Sequence, residues 1–230
     1  MNRLKFVALS AALTSALFLA GPASAQVWNE INAGDSLTTA EGMTGVDTQT
    51  LTGIHGMLDS TLYVDSTPLY QVDLYRIYID DPLNFSARTT SSNPDDTALF
   101  LFDSTGRGVY TNDDNTDDLL STLPVGGPQT NSFYYLAVAL GGFTALDFGG
   151  SNIFMTGGSF SDVYGADPAA GTLASWGQGF PSFIEGSFAY DIALTGARTA
   201  PIPEPSTVLL FALGLGGLVA SRFVRRAPAL

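Results

Sequence analysis

Short apolar runs, each ended by turn-forming residues, constrain the fold of this chain most strongly. Between residues 26 and 197, glycine, aspartate and asparagine recur between these runs. No stretch of about a dozen residues there places its apolar side chains at the 3.6-residue spacing of a helix. Runs of this length fit β-strands, so we predict an all-β domain.

Several runs predict individual strands. Alternation in 72–79 places Tyr75, Ile77 and Ile79 on one face, whereas the apolar run 97–102 predicts a strand buried on both faces. The other predicted strands are 50–58, 60–64, 83–87, 108–111, 132–140 and 188–194, with a polar loop at 89–96 and long loops holding one or two short strands at 141–187. Roughly seven to nine such strands favour an antiparallel β-sandwich.

The charge distribution limits the possible partners. Between residues 26 and 197, three arginines and no lysine accompany 21 acidic residues, which gives this segment a net charge of −18. Such a surface repels phosphate backbones, so we expect no nucleic-acid partner. It suits divalent cations, or simple solubility.

The N-terminal residues have the pattern of a secretory signal peptide over 1–25. Arg3 and Lys5 precede an apolar stretch from 6 to 20, and Ala23-Ser24-Ala25 is a small-x-small cleavage site. This predicts a mature domain of residues 26–197 that begins at Gln26. An uncleaved anchor is the alternative, but the stretch is short for a spanning helix. The chain has no cysteine, so outside the cell its stability would come from packing or bound ions.

The C-terminal residues predict a transmembrane helix. Residues 206–221 are sixteen uncharged positions, which as a helix would span about 24 Å, a little less than a hydrocarbon core of ~30 Å. Arg222, Arg225 and Arg226 follow at once, so residues 222–230 would form a cytoplasmic tail and the domain would lie on the export side. A buried core helix and a plain anchor are the alternatives.

The order of motifs at this end resembles the PEP-CTERM protein-sorting signal. Pro203-Glu204-Pro205 ends a Pro-rich linker (198–205), and Ser206, the apolar segment and the basic tail follow. The resemblance implies recognition by an exosortase, a transpeptidase-like enzyme of the inner membrane in Gram-negative bacteria that make exopolysaccharide. It also implies removal of the tail and delivery to the cell surface or extracellular matrix. The prolines would keep the recognised strip extended and outside the helix.

A second resemblance covers residues 72–118. The runs DLYRIYI at 73–79 and DTALFLFD at 96–103, followed by Gly106 and Asn112-Asp113-Asp114, resemble the pre-peptidase C-terminal type of β-sandwich. That family is a jelly-roll-like module of secreted proteins, and some of its members bind calcium near the corresponding loop. The Gly-rich stretch 141–187 departs from the compact module.

Residues 112–118 form the densest acidic cluster, with four carboxylates. Calcium takes six to eight oxygen ligands, and adjacent carboxylates repel one another unless a cation screens them. The candidate calcium ligands are Asp103, Asn112, Asp113, Asp114, Asp117 and Asp118. The alternative is a solvated turn rich in Asp and Asn. The pairs at 80–81 and 95–96 are weaker candidates, which we interpret as turn residues.

Residues that could support catalysis are scarce. His55 is the only histidine, and no G-x-S-x-G motif accompanies it. The mature domain holds three glutamates, which are Glu30, Glu41 and Glu185. We therefore predict a non-enzymatic surface or matrix protein that contacts exopolysaccharide, with a secreted carboxylate-based glycan-acting enzyme as the alternative. The aromatic residues between 143 and 183 would close the ends of the sandwich or, alternatively, form an exposed binding surface.

Overall fold

The computed structural model describes residues 25–45, 49–59, 63–64, 67–68, 72–92, 96–178 and 187–201. Every regular element in these ranges is a β-strand, which confirms the all-β prediction. Among them there is no helix with the length and apolar character that a membrane span requires. The predicted C-terminal helix, the basic tail and residues 1–24 of the predicted signal peptide lie outside the described residues.

Seventeen strands form in this part of the chain, and several have only two residues. They are β1 (Ala25–Asn29), β2 (Glu41–Gly42), β3 (Thr44–Gly45), β4 (Thr50–Asp59), β5 (Tyr63–Val64), β6 (Thr67–Pro68), β7 (Val72–Ile79), β8 (Ser86–Ser92), β9 (Thr97–Asp103), β10 (Gly108–Asn112), β11 (Thr122–Leu123), β12 (Ser132–Leu140), β13 (Phe143–Leu146), β14 (Tyr164–Gly165), β15 (Ser175–Gln178), β16 (Ser187–Arg198) and β17 (Ala200–Pro201).

Most strands pair in two groups. One group has the order β1-β4-β16-β8-β11, and the other has the order β7-β12-β9-β10-β14. Most strand pairs are antiparallel, but the pairs β1–β4, β2–β7 and β17–β3 are parallel. The strand pairing is therefore mixed, whereas the prediction was an antiparallel sandwich. The parallel β1–β4 pair is possible because the long connection between these strands has the length that a crossover needs.

Buried side chains of the two groups meet in a shared core. The Tyr190 hydroxyl on β16 donates a hydrogen bond of 2.7 Å to Asp73 on β7, and it also bonds to the Tyr75 hydroxyl. The hydroxyls of Thr89 on β8 and Thr97 on β9 lie 2.7 Å apart. Contacts of this kind are expected between the two layers of a β-sandwich. A jelly-roll-like strand order stays a prediction.

Burial explains which strand predictions match the structure. On β7, Tyr75, Ile77 and Ile79 are fully buried, as their alternation predicts. All six residues of 97–102 are buried, because β9 lies between β10 and β12 and the 143–178 segment covers its outer face.

Other predictions about the strands were wrong. The polar residues expected to form a loop after 87 continue β8 to Ser92, because the buried Thr89 hydroxyl is satisfied by hydrogen bonds to Thr97 and Ser121. The predicted strand 83–87 begins later, since residues 82–84 form a turn. For the region 141–187 one or two short strands were expected, whereas its described residues 141–178 already hold three, β13 to β15.

Strand β16 joins the two groups. Its residues 190–195 pair with β8, whereas Ala197 and Arg198 pair with β7. The register shifts between Ala193 and Ala197, and Gly196 has a φ of +67° in this interval. A Cβ atom at Gly196 would lie 2.5 Å from the backbone oxygen of Asp81. The change of neighbour therefore requires a residue without a side chain.

The register also places both termini of the domain at the same end of the sheets. Ala25 pairs with Thr50, and Thr50 pairs with Arg198, so these three residues form one row across β1, β4 and β16. We call the end that contains this row the near end. Strand β12 runs from the near end, where Ser132 pairs with Ile79, to the far end, where Leu140 pairs with Thr97. Its nine residues separate the two ends by about 27 Å.

We predict that Gly196→Ala destabilises the domain by about 2–4 kcal/mol, because the new side chain meets both a left-handed backbone and a close carbonyl oxygen. Gly150→Ala is the matched control: its φ is +75°, and its Cβ would have no neighbour within 4 Å. That control should lose only about 1 kcal/mol. Urea unfolding measures both values, and equal losses in the two variants would contradict the proposed role of Gly196.

Candidate acidic site and sorting segment

Two strand ends bring carboxylates together at the far end. Asp96 directly precedes β9, and Asp113 and Asp114 directly follow β10. Because β9 and β10 form an antiparallel hairpin, the start of one strand lies beside the end of the other. Carboxylate oxygens of the three residues lie within 4.8 Å of one another, and we call this set the acidic cluster.

The end of β12 completes the surroundings of the acidic cluster. The backbone N–H of Gly142 lies 3.3 Å from both carboxylate oxygens of Asp113. The N–H of Gly141 donates to the Asp96 carbonyl oxygen at 3.3 Å, and a Cβ at Gly141 would collide with the Asp96 carboxylate. The two glycines thus let the β12 end approach the carboxylates closely.

Burial and mutual repulsion disfavour the charged form of all three carboxyls. Burial raises the pKa of Asp113 to about 7. The hydrogen bond from Gly142 acts in the opposite direction, and the charges of Asp114 and Asp96 raise the pKa further. Burial and the Asp114 charge raise the pKa of Asp96. Burial and the Asp118 charge raise the pKa of Asp114. A cation placed among these groups would relieve both effects.

Of the predicted calcium ligands, only Asp113 and Asp114 belong to the acidic cluster. Asn112 is buried, and both ends of its side chain are engaged: Oδ1 accepts from the Thr122 N–H at 2.7 Å, and Nδ2 donates to the Asp162 carbonyl at 3.2 Å. Asp118 pairs with Arg88 at 3.3 Å and accepts from the Leu120 N–H.

Asp117 is exposed in the loop that follows the acidic cluster. Its backbone N–H donates to the Asn115 side chain at 2.7 Å. That bond is typical of an Asx turn, and it shapes the loop that carries Asp118.

The structure does not bring Asp103 together with the acidic cluster. Asp103 lies at the near-end turn of the β9–β10 hairpin, whereas Asn112 pairs with Leu99 close to the open end. The intervening residues of β9 separate these positions by about 13 Å. The Asp103 carboxylate accepts the N–H groups of Thr105 at 2.8 Å and Arg107 at 3.1 Å, so it stabilises its own turn.

Asp96 is the cluster member that the sequence interpretation assigned to a turn. The signal that could have found it is the predicted hairpin itself. In an antiparallel pair, the residue before the first strand lies beside the residue after the second, which matches Asp96 with Asp113 and not with Asp103.

His55 has a carboxylate partner, but the geometry is not that of a catalytic triad. Its Nδ1 lies 2.7 Å from Asp191, and the Ser91 hydroxyl donates to the other oxygen of Asp191 at 2.5 Å. The bonds from Ser91 and His55 lower the pKa of Asp191. Because Ser91 bonds to the carboxylate and not to the imidazole, His55 does not activate it as a nucleophile.

The two described glutamates hold the N-terminal segment in place. Glu30 accepts the N–H of Met57 at 2.7 Å, and Glu41 accepts the Trp28 indole N–H at 2.7 Å and the Asn32 N–H at 2.9 Å. Glu185 lies outside the described residues. Neither described glutamate is a member of the acidic cluster.

We predict that Asp113→Asn changes the pH dependence of stability. The folded-state pKa lies above the ~3.9 of an unfolded aspartate, so ionisation of Asp113 destabilises the folded state as the pH rises from about 4 through 7. In EDTA at pH 8 the variant should therefore be more stable than the native chain by roughly 1–3 kcal/mol, and at pH 4.5 the difference should nearly vanish.

Urea unfolding at both pH values measures this difference. Asp117→Asn is the control, because it removes a carboxylate from the same loop outside the acidic cluster. A stability difference for Asp113→Asn that stays constant between the two pH values would contradict the prediction.

The sorting residues Pro203, Glu204 and Pro205 lie outside the described residues, beginning two positions after the end of β17. Neither a curated protein nor a solved structure matches the chain, and the resemblance to the pre-peptidase C-terminal module stays a prediction. The family model for the PEP-CTERM protein-sorting motif matches residues 201–226. This confirms the predicted sorting signal: the chain carries a PEP-CTERM protein-sorting motif, the recognition segment of exosortase substrates.

Proposed function

We propose that the β-domain of this chain is a non-catalytic module that contacts exopolysaccharide through its far end. Its sorting motif implies export and processing by an exosortase at the membrane. The proposed destination is the cell surface or extracellular matrix of a Gram-negative bacterium. The predicted inner-membrane helix would hold the chain only until the tail is removed.

The observation that carries this proposal is the separation of the acidic cluster from the segments predicted to enter the membrane. Ala25 and Arg198 both lie at the near end. Pro201, where the sorting motif begins, pairs with Gly45, which follows the parallel β2–β7 pair in the direction of the near end. The four residues 202–205 can reach at most about 14 Å. This is about half of the ~27 Å between the ends of the domain, so the predicted helix must start close to the near end. The far end would then face away from the membrane.

The hydrogen bonds of the domain support a binding role more than a catalytic one. The carboxylates of Glu30 and Glu41 accept backbone and indole N–H groups, which leaves them in structural roles. One observation favours the alternative of a glycan-acting enzyme: Asp113, with a pKa of about 7, has the property of a general acid. Release of reducing sugar from exopolysaccharide by the native protein, and its loss in Asp113→Asn, would favour the enzyme.

Calcium is the cation that we propose for the acidic cluster. Asp96, Asp113 and Asp114 would supply three carboxylates, and Asp96 takes the place expected for Asp103. Carboxylates that bind through one or two oxygens provide three to six of the six to eight ligands, and water or carbonyl oxygens complete the set.

We predict that calcium raises the melting temperature of the protein by several degrees when its concentration is about a hundredfold above the dissociation constant. Asp113→Asn should lose most of this rise, whereas Asp103→Asn should keep it although it weakens its own turn. The measurement is a thermal melt in EDTA and in calcium chloride. An unchanged melting temperature of the native protein would contradict calcium binding.

For sorting, we predict that replacing Pro203, Glu204 and Pro205 by alanine blocks removal of the tail. Intact-mass analysis of protein from its host should then find the C-terminal segment still attached and the protein in the inner-membrane fraction. Pro228→Ala, outside the matched residues, should be processed normally. Normal processing of the triple variant would rule out recognition of this motif.

A further inference from the structure

A cavity of about 290 Å³ opens beside the acidic cluster. Its floor is the face of β9 and β10 that carries Ala98, Phe100 and Thr111, and the segment between β13 and β14 forms the opposite wall. The aromatic residues that line it are Phe100, Phe143, Phe154, Phe160 and Tyr164.

The large apolar side chains of the cavity divide into a buried interior set and an exposed rim. Phe100, Phe143 and Phe154 are buried, whereas Met155 and Phe160 are 50% and 55% exposed. Among the exposed large apolar side chains of the described residues, Met155 and Phe160 are the two that line this cavity. The rim therefore offers a ready contact for the apolar face of a ligand.

Asp113 connects the cavity with the acidic cluster. It lines the cavity, and its carboxylate lies within 4.8 Å of those of Asp96 and Asp114. The negative charge is thus concentrated at one side of the cavity. Arg88 on β8 reaches the loop that follows the acidic cluster, where it is paired with Asp118 at 3.3 Å.

The polar groups on the opposite side suit hydroxyl groups of a ligand. Asn152 and Thr156 line the cavity and are exposed at its rim. The Tyr164 hydroxyl donates to the Ser159 carbonyl at 2.9 Å, so its oxygen can still accept a hydrogen bond. A ligand with hydroxyls along one edge could bond to these groups while its body contacts the rings.

We infer that this cavity binds a protonated amino-sugar unit of a polysaccharide, with the ammonium group toward Asp113 and the sugar ring against Phe160 and Met155. The inference rests on the proposed contact with exopolysaccharide and names the chemical class of the polymer. Carboxylates beside aromatic rings are favourable surroundings for an ammonium group. The volume is about twice that of a ~150 Å³ cavity that accommodates benzene, which is enough for one pyranose ring.

Charge distinguishes this ligand from other sugars. A uronic acid would be repelled by the acidic cluster and by a segment in which 21 acidic residues accompany three arginines. A neutral sugar would leave the clustered carboxylates without a counter-charge. The ammonium group and calcium would require the same carboxylates, so the two cations should compete.

The test is a calorimetric titration of protein expressed from the full coding sequence, in EDTA and about 150 mM salt, which screens long-range attraction. The probes are a β-1,4-linked glucosamine tetramer, its fully N-acetylated counterpart and a galacturonic acid tetramer. The glucosamine tetramer should bind at least about tenfold more tightly than the acetylated one, and the galacturonate should not bind. Added calcium should weaken glucosamine binding.

Two variants and one control locate the site. Asp113→Asn and Phe160→Ala should each weaken binding of the glucosamine tetramer about tenfold or more, with folding checked by thermal melts. Asp117→Asn removes the same charge from an exposed position outside the cavity and should change the affinity less than about twofold.

The outcomes separate this inference from the proposed function. Equal binding of the glucosamine and acetylated tetramers would overturn the ammonium site but leave a contact with polysaccharide intact. Equal weakening by Asp113→Asn and Asp117→Asn would show that general electrostatic attraction accounts for the binding, and it would overturn the cavity as the binding site. If no oligosaccharide and no host exopolysaccharide binds, both the inference and the proposed function fail.

Discussion

The structure depends on one strand, β16, that pairs with both groups of strands. Its first part lies between β4 and β8, and its last two residues pair with β7. Gly196 makes this change possible, because its positive φ and missing side chain allow the strand to pass the backbone of Asp81. The buried bonds from Tyr190 to Asp73 and Tyr75 then hold the same strand against β7.

This pairing determines which end of the domain carries its two termini. It sets Arg198 beside Thr50 and Ala25, so the chain enters and leaves the domain at the near end. The ends of β9, β10 and β12 that carry the acidic cluster and Gly142 lie at the other end. Attachment and recognition would therefore be served by opposite ends of one domain, and removal of the tail would leave the far end unchanged.

Features that depend on a few consecutive residues could be predicted from the sequence. The strand 72–79 and the apolar run 97–102 could be predicted because alternation and uniform apolarity are properties of a few consecutive residues. The sorting motif could be predicted for the same reason, since it is a linear motif followed by an apolar segment and arginines.

What could not be predicted depends on residues far apart in the chain. Residues 89–92 of β8 were predicted as a loop, because the hydrogen-bond partners of Thr89 are supplied by Thr97 and Ser121. Asp103 was chosen in place of Asp96 because both flank the same strand, and only the register of the hairpin tells which end meets Asp113. The cavity needs the 143–178 segment to fold over β9, and no periodic pattern marks that contact.

The central claim is that the acidic far end faces away from the membrane into which the predicted C-terminal helix would insert beside the near end. The chain has no cysteine, so single labels can be placed by Ser104→Cys at the near-end turn and Thr116→Cys in the far-end loop. Energy transfer from each label to acceptor lipids would be measured on the full-length chain reconstituted in vesicles without exosortase. The account predicts strong transfer from position 104 and much weaker transfer from position 116, about 27 Å farther from the bilayer. Equal transfer, or stronger transfer from position 116, would contradict it.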